Sequence, residues 1–148
     1  MLAEDQKAFA KIVVSPDADR VTAFASRELQ SYLSRISGVH FEIIKDVDCP
    51  GKALFITAGG VKWITASFDN DKKDIFELLV NKDGVSIQGS NGRSVLYGVY
   101  DFLELLGCAF VEPGRETVPE LEKLEVPFME RRSAAAFDLR NIFRIQIV

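Results

Sequence analysis

The chain carries one histidine, one tryptophan and two cysteines in 148 residues, and each scarcity excludes some chemistry. His40 has no second histidine to share a metal with, and no serine or cysteine nucleophile motif lies near enough to use it as a base. Cys49 and Cys108 are too few for a disulfide framework or a four-ligand zinc site. Cys49 precedes Pro50 and Gly51 in a predicted turn, and Cys108 falls between a helix and an apolar strand. Both read as free thiols, Cys108 as a buried one. Neither H-E-x-x-H, nor G-x-S-x-G, nor a phosphate-loop pattern occurs. No metal and no cofactor is expected.

Concentrated positive charge is also missing. The net charge is −4, and the nearest thing to a basic cluster is the pair Arg131 and Arg132. A nucleic-acid partner is therefore not expected. No apolar run approaches the ~18–20 residues of a membrane helix, so no membrane partner is expected either. Residues 1–7 show neither a basic nor an apolar leader region.

What the chain does have is core material. Hydrophobic residues make up 47%, eleven of them Phe, beside 27% charged residues, which suits one folded domain. Residues 9–14 (FAKIVV) read as a strand. Ser15, Pro16 and Asp17 break it, and Asp17 or Asp19 offers an acidic helix start. Val21, Ala25, Leu29, Tyr32, Leu33 and Ile36 then recur at helical spacing, with Ser26 on another face, until Gly38 stops the helix. Residues 40–45 (HFEIIK) and 53–58 (ALFITA) read as two strands, and 61–74 as a polar loop holding Trp63.

Residues 74–81 and 85–89 predict a hairpin closed by Asp83 and Gly84. A second helix follows Asn91 and Gly92, with Val95, Leu96, Val99, Phe102, Leu103 and Leu106 inward and Gly107 as its stop. Residues 109–111 form a short strand, and 121–128 alternate as an edge strand might. Two helices cannot cover both faces of a sheet of five or more strands. The expected fold class is therefore α/β (α+β): two layers, a mixed sheet, both helices on one face. Residues 142–148 are apolar to the last position without a cap, which predicts a chain cut inside a larger protein.

Candidate chemistry is sparse. Residues 89–93 (GSNGR) join a strand to a helix, where phosphate loops sit, but the glycine spacing is that of a plain turn. Asp101 and Glu104 stand three apart on the second helix, beside the core candidates Phe102 and Leu103. That places the acids on a solvated edge, without the desolvated partner an acid/base pair needs. Residues 69–74 are acid-rich but lack calcium-loop spacing. By its residues alone, the chain is a soluble α/β domain with no recognisable active site.

The second half does carry a distinctive pattern. Gly89, Ser90, Asn91 and Gly92 lead into Tyr97-Gly98-Val99-Tyr100-Asp101-Phe102-Leu103-Glu104, then Leu106-Gly107-Cys108, Phe110 and Pro113-Gly114. This resembles the segment G-x-x-Y-G-V-Y-D-F-L-E followed by L-G-C. That segment occurs in the second-domain type of family-20 β-hexosaminidases and in the N-terminal domain of family-67 α-glucuronidases. Residues 23–38 resemble, less distinctively, the family's A-x-x-E-L-Q-x-Y-L-x-x-I-S-G helix, so the likeness spans most of 11–119.

The resemblance implies a zincin-like fold without zinc and without catalytic residues, which abuts a following (β/α)8 barrel. Phe137-Asp138-Leu139-Arg140 resembles the entry into the first barrel strand, where an arginine of family-20 enzymes contacts the sugar. Arg140 is thus the candidate substrate-binding residue, although Asn141 replaces the usual Gly.

Residues 1–132 are accordingly expected to be the accessory domain, and 133–148 a linker and the truncated start of a barrel. The expected function is that of a non-catalytic N-terminal domain of a carbohydrate-cleaving glycoside hydrolase, with the parent's own barrel as intramolecular partner. The resemblance implies a secreted or periplasmic parent. The alternative is a free-standing glycan- or protein-binding module, for which Trp63 and Phe68 are the stacking candidates. A small enzyme built from the residues discounted above is a third reading.

Overall fold

The structure is a computed structural model, and it describes residues 2–4, 7–57, 74–110 and 116–133. The strands are β1 (Ala3–Glu4), β2 (Lys7–Ala8), β3 (Lys11–Val14), β4 (Ile43–Lys45), β5 (Ala53–Thr57), β6 (Phe76–Asn81), β7 (Gly84–Gly89), β8 (Ala109–Phe110), β9 (Glu116–Thr117), β10 (Lys123–Leu124) and β11 (Met129–Ser133). Helix α1 spans Arg20–Ser37 and lies between β3 and β4, and α2 spans Gly92–Leu105 and lies between β7 and β8.

Among the described residues, six strands form the main sheet in the order β11-β6-β7-β5-β3-β4. Only β3 and β4 run parallel; the other neighbours are antiparallel, so the sheet is mixed. Pairing aligns Ile12 with Ile56, Leu54 with Ile87, and Leu78 with Ile87. Because side chains alternate across a strand, these residues share one face. The buried stripes of both helices pack on it, in a single core with Leu29, Leu33, Val95, Val99, Phe102 and Leu103. Each such side chain, fully buried, contributes about 1.5–3 kcal/mol. The fold is α+β in two layers, with both helices on one face.

Asp19 begins α1, its carboxylate accepting from the Thr22 backbone N–H at 2.7 Å. Gly38 ends it at φ 72°, with its N–H on the Ser34 carbonyl at 2.8 Å. The inward stripe is rotated from the expected one. Val21 is 39% exposed, while Thr22 and Ser26 are buried. Ser26 tolerates burial because its hydroxyl donates to the Ala23 carbonyl at 2.6 Å, a local bond that periodicity cannot register.

The predicted hairpin is present, with Asn81 paired to Gly84 and Gly84 at φ 130°. Three other expectations shift. Residues 40–42 precede β4 rather than extending it. Of the alternating run 121–128, only Lys123–Leu124 pairs, with β1 in a small side sheet. Among the described residues the sheet ends on β4 at one side and at the other on β11, a polar MERRS segment paired with β6. Its charges suit an edge that must not recruit another strand, and they hide it from a search for apolar alternation.

Candidate functional site

The sequence points to α2 and the turn before it. Asn91 caps α2, its side-chain oxygen accepting from the Ser94 backbone N–H at 2.8 Å and from the Ser94 hydroxyl at 3.0 Å. The amide nitrogen donates to Asp74 at 2.9 Å, and Arg93 reaches the same carboxylate at 3.1 Å. The turn is closed upon itself. A Cβ on Gly89 would lie 2.7 Å from the Val95 nitrogen, and one on Gly92 would lie 2.5 Å from the Asp19 carboxylate. A turn filled this way by its own chain and the start of α1 has the geometry of a packing joint.

Gly98 does the same in mid-helix. A Cβ there would stand 2.6 Å from Ile87 Cγ2 and 3.3 Å from the Phe76 ring. The helix therefore rests directly on β6 and β7, with Tyr97 buried against Phe76. Tyr100 stacks edge-on to Phe110 at 5.1 Å, and Tyr32 does so from α1 at 5.3 Å.

Around these rings lies a polar cluster that the sequence reading missed. Tyr100 lies beside Glu28, Arg35 lies 5.0 Å from the Tyr32 ring centroid, and Arg35 pairs with Glu116 at 3.2 Å. Burial raises the Glu28 carboxyl above its usual range against the lowering effect of the Tyr100 hydroxyl, with the Glu116 charge adding to the rise. Burial likewise raises Tyr100, helped by the Glu28 charge. These groups come from α1, α2 and β9, far apart in the chain, and only tertiary contact joins them.

The two acids on α2 are not alike. Glu104 is exposed, as expected of a solvated edge, but Asp101 is not, its side chain only 14% accessible. One Arg131 guanidinium nitrogen donates to both Asp101 oxygens, at 2.8 and 2.9 Å. Desolvation nevertheless holds the Asp101 carboxyl above its ordinary value. The partner comes from β11, the strand that periodicity did not reveal.

His40 is exposed, close to the surface ion pair of Lys11 and Glu42 at 3.4 Å. Both thiols are free and buried, and burial pushes Cys49 up to about 12 and Cys108 up to about 11. Among the described residues, no group of three metal-ligating side chains forms. Arg140, Trp63 and Phe68 lie outside the described residues.

The fold and these side chains define a class: a two-layer α+β domain whose most distinctive sequence is spent on holding helix to sheet. Compared with protein-family models, curated proteins and solved structures, the chain matches none. Among the described residues, no helix is long and apolar enough to cross a membrane.

Proposed function

We propose that this chain is the non-catalytic accessory domain of a carbohydrate-cleaving enzyme, of the kind that precedes a (β/α)8 barrel in family-20 β-hexosaminidases and family-67 α-glucuronidases. One observation carries the reading. The residues that make the motif distinctive are those that the interior consumes: Asn91 as cap, Gly89, Gly92 and Gly98 as close approaches, and Tyr97 and Phe102 as buried rings. A motif used in this way serves a scaffold.

In this reading the sugar chemistry belongs to the barrel, and the domain supplies a rigid body against which the barrel packs. The test is to read the coding sequence beyond Val148 and to assay the isolated chain on aryl glycosides. The expected result is a downstream run of alternating strand and helix patterns with acidic residues at strand ends, and no hydrolysis by the chain alone. A stop codon directly after Val148, or glycoside hydrolysis by the chain itself, would overturn the proposal.

A further inference from the structure

Asn91 and Gly92 form the dipeptide most prone to intramolecular attack of a backbone nitrogen on a side-chain amide. Glycine lacks the Cβ that would otherwise hinder approach to that nitrogen. Exchanging this glycine for a safer residue would displace the α1 cap, because a Cβ at 92 would meet both Asp19 oxygens, at 2.5 and 2.6 Å, and one of them accepts from the Thr22 N–H. Asn91 is equally committed as the cap of α2. The reactive pair is therefore retained, and its amide is held at both ends. The oxygen is held by the Ser94 N–H and hydroxyl, at 2.8 and 3.0 Å, and the nitrogen by Asp74, at 2.9 Å.

We propose that Asn91-Gly92 is a latent self-modification site, protected while the first turn of α2 is closed and reactive when it opens. On opening, the Gly92 nitrogen bonds to Asn91 Cγ and loses its proton to solvent. The Cγ–Nδ2 bond breaks and ammonia leaves. Water then opens the cyclic imide at one carbonyl or the other, giving aspartate or isoaspartate, with no change in oxidation state.

Either product prevents the turn from closing as before. Aspartate has no N–H for Asp74 and sets a second carboxylate beside it, a like-charge contact. Isoaspartate adds a methylene to the main chain at a turn so close that even a Cβ on Gly89 would meet Val95 and Ser94. Reaction thus accumulates irreversibly with the fraction of time that the α2 start spends open.

The test follows deamidation and isoaspartate at residues 91–92 by peptide mass spectrometry at mildly alkaline pH. The folded protein, the urea-unfolded protein and the folded variants Asp74→Ala and Ser94→Ala are compared. Reaction through local opening slows by tenfold for each ~1.4 kcal/mol of opening free energy. The folded wild type should therefore react at least about tenfold more slowly than the unfolded chain, with both variants in between. Asn91→Asp, made directly, should unfold at lower urea than the wild type. Equal rates in folded and unfolded wild type would overturn the proposal. So would folded variants that react no faster than wild type, or an Asn91→Asp protein as stable as the parent.

Discussion

One guanidinium nitrogen of Arg131 bridges both oxygens of Asp101, and so ties the edge strand β11 to helix α2 across the helix-bearing face of the sheet. The next residue, Arg132, points to the opposite face and pairs with Glu77 of β6 at 3.1 Å. Alternation along the strand sends adjacent arginines to opposite sides, and each finds an acid there. Arg131→Ala leaves a largely buried carboxylate without its partner, whereas Arg132→Ala exposes a more accessible one. The first should cost about 1–2 kcal/mol and the second under about 1 kcal/mol in urea unfolding. A larger loss for Arg132→Ala would contradict this assignment.

Gly98→Ala sets two effects against each other. Alanine improves helix propensity by about 1 kcal/mol, but its methyl must enter space held by Ile87 and Phe76. Overpacking of a well-filled core costs typically about 1–3 kcal/mol, so a net loss is expected. A midpoint of urea unfolding above that of the wild type would show the helix to have room it was not thought to have.

Gly84→Ala should be worse. Its backbone sits at φ 130°, and an added Cβ falls against the Ile56 carbonyl oxygen, a backbone atom that cannot rotate away. Backbone strain of this kind costs about 1–3 kcal/mol before the clash is counted. The variant should lose more than about 2 kcal/mol or fail to fold. Thermal unfolding beside Gly98→Ala gives the ranking.

Thr22 offers a gain. Its hydroxyl is buried, with no hydrogen-bond partner. Thr22→Val keeps the shape and removes an unsatisfied polar group, whose desolvation costs about 1–3 kcal/mol. An increase of about 1 kcal/mol in unfolding free energy is expected. No increase would mean that the hydroxyl finds a partner in solution.

Part of the pH dependence follows from Glu28. Its native carboxyl titrates above the ordinary value of 4.5, so the folded state holds that proton more tightly than the unfolded chain. The stabilisation from proton uptake is therefore present below that value and is lost as pH rises through the raised native value. Glu28→Gln cannot ionise, yet it still offers an oxygen to Tyr100. The variant should show a flatter fall in stability above 4.5 than the wild type, read from urea midpoints across the pH series. Parallel profiles would remove Glu28 as the source.

Much of the fold was legible in the residues, because local rules governed it. Three- and four-residue spacing marked both helices, Gly38 and Gly107 marked their ends, and Asp83-Gly84 marked the hairpin. The apolar run of β5 was readable since all five of its residues are buried. Helix phase was less so, as Ser26 shows. A hydroxyl satisfied by its own helix can face the core, and periodicity counts it as polar.

Strand β11 and the pairs it makes were not legible. MERRS has no apolar rhythm, and its place at the sheet edge depends on the exposed side of β6 being free to receive it. Asp101 looked solvated because the arginine that covers it lies thirty residues further along the chain. The cluster of Glu28, Tyr100, Arg35 and Glu116 was equally invisible, for it draws on three elements. By itself the sequence determined the class, two helices against a mixed sheet, since burial patterns and turn chemistry act over a few residues. Which polar groups are desolvated, and by whom they are paired, was decided only by tertiary structure. Coulombic and solvation effects act through space, between residues whose separation along the chain carries no information.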